Sequence, residues 1–510
     1  MRKLTFVLLP VLLAVGGLLV GCPAGRAAAA KTLVYGTTEK VTDMDPAHAY
    51  DFHTWEIFQN IYQGLMTYEP GTTNLVPGLA ESYSANARSD EFTFKLRKNL
   101  KFSDGTAFKA DVVKWTIDRV AKLKGDLSWL VTDFVKQVDV VDEYTVKFTL
   151  KGPTAFFPAL AASVPYFPVN PKAYPADKTV RDVDELAGKK LVGLGPYEAV
   201  SFKRDQEVVL EANAKYWGAQ PNVKRIVIRY FADATTMRLA LEKGEVDLAF
   251  KSLNRSDIRD LSKKAGISAY KLNGPQIRYL CFETSELVFK DKRLRQAVAA
   301  LIDRQEIIEK VYLGQNSPLY SMVPIGMIYH AAAFKDAYGE KPDVARAEKL
   351  LADAGYTAAK PLKFELWYTP SHYGDAEVNM ADVLKAQLGK TKAVAVTVKS
   401  TEWATYKDQW KKKQMPIWFL GWYPDYIDPD NYTAAFAGTE GSKGMGINFS
   451  RPEWDKWFTT EQNSPDPAVR KQTFEAVQKA WTDEVPTIPL WQGDLYVFTK
   501  PNVKDVKKKA

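Results

Sequence analysis

Between Glu91 and Arg97 the apolar side chains fall on every second residue, Phe92, Phe94 and Leu96, and the same period returns in Tyr144, Val146, Phe148 and Leu150. A two-residue period places one face of a strand in a core and the other toward water. The runs Lys224–Phe231 and Pro416–Gly421 are more continuously apolar, as strands covered on both faces are. Helices with clear starts and stops stand between these strands. Asp233 is placed to cap a helix running to Lys243 with Gly244 just past its end, and Asp343 to Ala354 stops in the same way before Gly355. Asp466 and Pro467 open a third, which continues through Trp481. This alternation runs on without repeats or low-complexity linkers, and 510 residues exceed what one core holds, so the expectation is α/β layers in more than one lobe.

The chain opens with Arg2 and Lys3 and then an apolar run from Thr5 to Gly21, which reads as a secretory signal over residues 1–21. Its 17 residues fall short of the roughly 20 that a spanning helix needs, so the mature chain is expected to be soluble. The run ends in Leu19-Val20-Gly21-Cys22, which resembles the lipobox of bacterial lipoproteins and makes Cys22 the expected lipidation site. Cleavage after Ala30 is the rival. Cys22 is preferred because it abuts the apolar run, whereas Ala30 lies nine residues beyond it. With only two Cys there is no disulfide framework, and Cys281, in the strand-like Ile277–Thr284, reads as a buried, inert thiol. The formal charge is +8, but basic residues cluster only in the tail from Val503, so no nucleic-acid partner is expected.

Catalytic and metal motifs are missing. The chain has no His-Glu-x-x-His, Gly-x-Ser-x-Gly, P-loop or Gly-x-Gly-x-x-Gly pattern, and Gly193-Leu-Gly195-Pro196 reads as a turn. His48, His53, His330 and His372 show no helical ligand spacing. The densest chemistry is Gly421-Trp-Tyr-Pro-Asp-Tyr-Ile-Asp-Pro-Asp-Asn-Tyr432, where three Asp and four aromatic residues crowd around two Pro. From these residues alone a metal site, a catalytic carboxylate pair, a sugar platform and a clamp for a cationic group all stay open, although the calcium-loop pattern is incomplete.

Longer blocks narrow the choice. Leu79–Tyr83, Glu91–Arg97 and Leu100–Arg119 closely resemble the family 5 extracellular solute-binding proteins of ABC transporters, receptors for oligopeptides, dipeptides and, in some branches, nickel chelates or sugars. Gly193–Tyr197, Asn213–Gly218, Gly244–Leu248, Arg293–Ala297 with Ile302–Arg304, Leu350–Tyr356 and Gly421–Tyr426 follow in family order.

The resemblance implies an α/β, two-lobed periplasmic-binding-protein type II fold with an additional subdomain in lobe one. Lobe one would comprise residues 31–75, 186–272 and 495–510, the subdomain 76–185, lobe two 285–488, and the hinge crossings 273–284 and 489–494. The protein would be a monomeric binder, not an enzyme, that encloses a peptide or other small solute between closing lobes. It would deliver that solute to ABC permease subunits served by cytoplasmic ATPases, without a cofactor or bound metal. It would reside in the periplasm or cell envelope, held at the membrane by lipid on Cys22. Asp425 would meet the α-ammonium of a peptide, and Trp422, Tyr423 and Tyr426 would wall the cavity. Asp428 and Asp430 fit as turn and cap acids around Pro429. Dipeptide-selective members place an Arg for the peptide carboxylate in the region matching Trp367–Asp375, which here has none, so longer peptides or non-peptide cations are favoured. The alternatives are a sugar or metal-chelate receptor and a secreted carboxylate-pair hydrolase.

Overall fold

A computed structural model describes residues 32–506, apart from Ser252, Ser371, Gly374, Asp375 and Asp505. The expected signal segment, Cys22 and the last four residues lie outside it. The strand and helix periods of the sequence become elements with small changes of boundary. The strand Glu91–Leu96 buries Phe92, Phe94 and Leu96, and Thr145–Leu150 buries Val146, Phe148 and Leu150. Asp233, Asp343 and Asp466 accept hydrogen bonds from the amides of Thr236 (2.8 Å), Arg346 (2.9 Å) and Ala468 (2.8 Å), capping the helices Ala234–Lys243, Val344–Asp353 and Pro467–Glu484.

One expected strand is less covered than its sequence suggests. Arg225–Tyr230 fully buries only Ile228, because its alternate positions Arg225 and Arg229 keep one face hydrated. By contrast, Ile417–Trp422 buries Ile417 through Leu420. The pair Tyr216 and Trp217 is half-buried, with the Arg97 guanidinium 4.3 Å over the Trp217 ring.

One long sheet organises the molecule. Its strands run in the order Val394–Ser400, Leu362–Tyr368, Ile417–Trp422, Ser268–Phe282, Thr487–Thr499, Leu248–Phe250, Thr32–Thr37, Arg225–Tyr230, Glu207–Ala212 and Tyr197–Lys203. The two central strands are the longest and pair antiparallel along most of their length. At one end, Ser268–Asn273 faces Asp494–Thr499, which also pairs with Leu248–Phe250. At the other, Ile277–Phe282 pairs with Ile417–Trp422. Between the two ends the ladder slips from Asn273 opposite Asp494 to Ile277 opposite Gln492. A β-carbon on Gly274 would stand 2.7 Å from the Gly493 carbonyl, so the two backbones can approach this closely only because that side chain is absent.

Apolar packing divides at that slip. One core draws on residues from Ile277 to Trp491, and a second gathers those from Val41 to Ile228 together with Tyr426. The second core also takes in the separate four-stranded sheet of Ala80–Ala85, Glu91–Leu96, Thr145–Leu150 and Val135–Asp142. A smaller cluster, including Met237, Leu241 and Phe498, covers the other face of the same end of the long sheet. Arg295 is buried and fastens its helix by donating to the carbonyls of Glu484, Val485 and Phe289. Cys281 is fully buried, and burial pushes its thiol well above its ordinary pKa. No helix among the described residues is long and apolar enough to cross a membrane.

Candidate functional site

A cavity of about 730 Å³ opens between the two cores, within the roughly 300–1,000 Å³ range of small-ligand pockets. One wall is the helix Phe52–Ile61. Asp51 caps it, accepting from the Thr54 amide at 2.7 Å, and Phe52, Trp55, Glu56 and Gln59 project from one face at helical spacing into the cavity. Trp55 donates from Nε1 to the Ala49 carbonyl at 2.6 Å, which fixes its ring. Tyr50 stacks on Trp55 with centroids 5.8 Å apart, and Phe52 meets Trp55 edge-on at 5.3 Å.

The opposite wall is the loop that leaves the strand Ile417–Trp422. At its start Gly421 is packed against Arg278 and Tyr373, and a β-carbon there would lie 2.7 Å from Arg278 Nη1. Arg278 is itself fully buried, ion-paired with Glu377 and 3.7 Å from the Tyr373 ring centroid. Asn431 then gathers the loop, its Oδ1 accepting from Trp422 Nε1 at 3.0 Å and from the Asp425 amide at 3.2 Å. This orients Asp425 toward the cavity, where its carboxylate accepts a hydrogen bond from the Tyr50 hydroxyl across the cleft. Burial raises the Asp425 carboxyl above its ordinary pKa, and the bonds from Tyr50 and Asn431 offset only part of that. No cationic side chain pairs with it among the described residues.

The other two acids face away from the cavity. Asp428 accepts from the Asp430 amide at 3.0 Å and holds Arg470 with two bonds of 2.9 and 2.7 Å. Arg470 also reaches Glu461 at 2.8 Å, and burial with the adjacent Asp430 pushes the Glu461 carboxyl well above its ordinary range. Asp430 opens the helix Asp430–Ala437 and accepts from the Tyr426 hydroxyl at 2.7 Å and from Gln462 at 2.8 Å.

The three aromatic residues expected around Asp425 separate. Tyr423 lines the cavity, 42% exposed, its ring 4.8 Å from Phe52 of the facing wall. Tyr426 touches the cavity edge but is itself buried, stacked on Phe156 at 4.7 Å with rings 5° from parallel. Trp422 is not among the residues that line this cavity. Its indole stands behind the loop, perpendicular to Phe436 at 5.2 Å. Trp422 is the last residue of the strand, and alternation along it turns the indole away from the side that Tyr423 takes. Tyr50, Phe52, Trp55 and Glu56, with Lys251 and Asp494, are among the other lining residues and do not stand out in the sequence. The signal that was present is the Asp51 cap followed by aromatic and acidic residues on a single helical face.

Among the described residues, no group of three or more His, Cys, Asp and Glu is arranged to hold a metal ion. His53 is buried, with Nε2 3.0 Å from the Tyr230 hydroxyl. The site is an aromatic cleft between two cores, with Asp425 on its wall paired to no cation among the described residues.

Comparison with known proteins identifies the family. The sequence profile of the bacterial extracellular solute-binding proteins, family 5 Middle, matches residues 74–444. The probable D,D-dipeptide-binding periplasmic protein DdpA of Escherichia coli is 26% identical, with 94% of this chain and 92% of that protein aligned. Heme-binding protein A of Haemophilus influenzae is also 26% identical, over 93% and 89%. Among solved structures, the unliganded open form of the murein tripeptide-binding protein MppA superposes with a TM-score of 0.82 at 22% identity, covering 94% of this chain and 95% of that one. The fold is thus the two-lobed mixed α/β fold of periplasmic binding proteins. With the profile matching well over half of its length, this chain belongs to the bacterial extracellular solute-binding proteins of family 5.

Proposed function

We propose that the protein is the extracytoplasmic receptor of an ABC importer, capturing oligopeptides between its lobes and delivering them unchanged to the permease. The observation that carries this reading is Asp425, a half-buried carboxylate on the cavity wall that meets the neutral Tyr50 and Asn431 and, among the described residues, no cation. A charge held away from water needs a counter-charge, and the free α-ammonium of a peptide is one of the right size. Tyr423 and Phe52 exclude water from the pair and strengthen it. Relatives that bind dipeptides and a neighbour that binds a tripeptide support the peptide class, and their periplasmic placement supports the same location here.

Residues 273–284 and 489–494 are proposed as the hinge, in keeping with the interrupted ladder and the close approach of Gly274 to Gly493. Lobe one is assigned to 31–75, 186–272 and 495–510, with 76–185 as its subdomain, and lobe two to 285–488. Cys22 would tether the receptor to the membrane. Affinity is expected to be micromolar or tighter, about −8 kcal/mol or below. Calorimetric titration with a free peptide and its N-acetylated twin tests the reading. Asp425→Ala should weaken the free peptide far more than the acetylated one, and equal losses for both would remove the role given to Asp425.

A further inference from the structure

The helix Pro452–Asn463 ends in a sequence that cannot complete its own hydrogen bonding. The carbonyls of Glu461, Gln462 and Asn463 would pair with amides four residues on, and those positions are Pro465, Asp466 and Pro467. Both prolines lack an amide N–H, and the Asp466 amide turns to Ser464 Oγ at 3.2 Å. Arg470 Nε donates to the Glu461 carbonyl at 3.1 Å, from close by in the chain. The other two carbonyls are met from far away: the Ala155 amide donates to that of Gln462 at 2.6 Å, and the Ser89 hydroxyl to that of Asn463 at 3.0 Å.

These two bonds run between the cores. Trp454 and Phe458 place the helix in the core that draws on Ile277 to Trp491, whereas Phe92 and Phe156, close after Ser89 and Ala155 in the chain, belong to the core from Val41 to Ile228. Ser89 is fully buried with a φ of 53°, a backbone that glycine adopts at less cost, but a glycine would bring no hydroxyl to the helix end. Its carbonyl also accepts from the Thr154 amide at 2.8 Å, which binds the two donor loops into one clasp. None of these residues lies in the crossing strands, so the two cores are joined at a third place. Water can take over both helix carbonyls once the donors withdraw, so this join comes apart at the modest net worth of two hydrogen bonds.

We propose that Ser89 and Ala155 form a latch on the end of the helix Pro452–Asn463, which has to be released before the lobes can swing about their crossing strands. This rests on the hinge reading above and requires no particular solute. Hydrogen exchange and small-angle X-ray scattering of the ligand-free mature protein test it. In the wild type the Ala155 amide should exchange at least about a hundredfold faster than the amides of Ile277–Phe282, because lobe motion frees it without global unfolding. Ser89→Gly, which suits the left-handed backbone, should quicken Ala155 exchange about tenfold relative to those amides and enlarge the radius of gyration. An Ala155 amide protected as long as Ile277–Phe282, an exchange rate that ignores Ser89→Gly, or a radius of gyration equal in the two proteins overturns the latch. No peptide enters either measurement, so such a result leaves the role of Asp425 standing, to be decided by the calorimetric titration alone.

Discussion

Asp425 and Asp428 sit three residues apart on one loop and are treated in opposite ways by the rest of the chain. Asp428 is buried against Arg470, which grips both of its oxygens and also reaches Glu461. Asp425 turns to the cavity, where its carboxylate meets the Tyr50 hydroxyl and the Asn431 side chain, both neutral. Carboxylates removed from water are costly unless paired. Where the protein provides the cation, the acid is part of the scaffold; where it withholds one, the acid is available to something from outside. Pro429 already marks Asp428 as a turn acid, but the partner set is what shows that one carboxylate is answered by a cation and the other is not.

The comparison can be broken most severely at Arg470. Replacing it by Met leaves Asp428 and its acidic neighbours without their cation, and we expect a loss of about 3–5 kcal/mol in unfolding free energy, read by denaturant titration. Asp425→Asn in the same assay should leave stability unchanged or raise it, since the raised pKa of that carboxyl means that its ionised form is disfavoured in the ligand-free protein. Similar destabilisation by both substitutions would show that the two acids are not different in kind.

A second test sharpens the contrast through pH. A bound ammonium favours the ionised form of Asp425, so binding displaces its proton. Affinity for an amine should therefore be full above the raised pKa and fall as pH drops through it, beginning above the ordinary Asp value of 3.8. Asp425→Asn should bind weakly with no such slope. An unchanged slope in that variant would place the titrating group elsewhere. The smallest expected effect is that of Tyr50→Phe, which removes one neutral hydrogen bond across the cleft. A change of about 0.5–1.5 kcal/mol in affinity is expected, with stability nearly constant.

Much of this molecule could be read from local pattern. The alternation of Phe92, Phe94 and Leu96 and the caps at Asp233, Asp343 and Asp466 are local devices, so their signals survive in a linear string. The loop carrying Asp425 was also visible, because aromatic, acidic and Pro residues are concentrated there. What escaped was long-range. Tyr50 meets Asp425 across 375 residues, and Arg470 reaches Asp428 across 42, so neither pairing leaves a spacing to detect. The half-covered strand Arg225–Tyr230 escaped for another reason: its apolar count outweighed the two arginines that set its exposed face.

Tyr426 belongs by sequence to the loop that leaves the strand Ile417–Trp422 and by packing to the core that runs from Val41 to Ile228, where it stacks on Phe156 and meets the edge of Phe134 at 6.4 Å. It is also the residue next to Asp425. Separating the lobes would draw that ring out of an aromatic slot and into water, at a cost of about 1.5–3 kcal/mol for the lost burial. In the proposed receptor this term would belong to the kinetics of release, lengthening the time a captured solute waits before the cleft lets it go. It would act alike on every ligand, and so would set a residence time common to all of them.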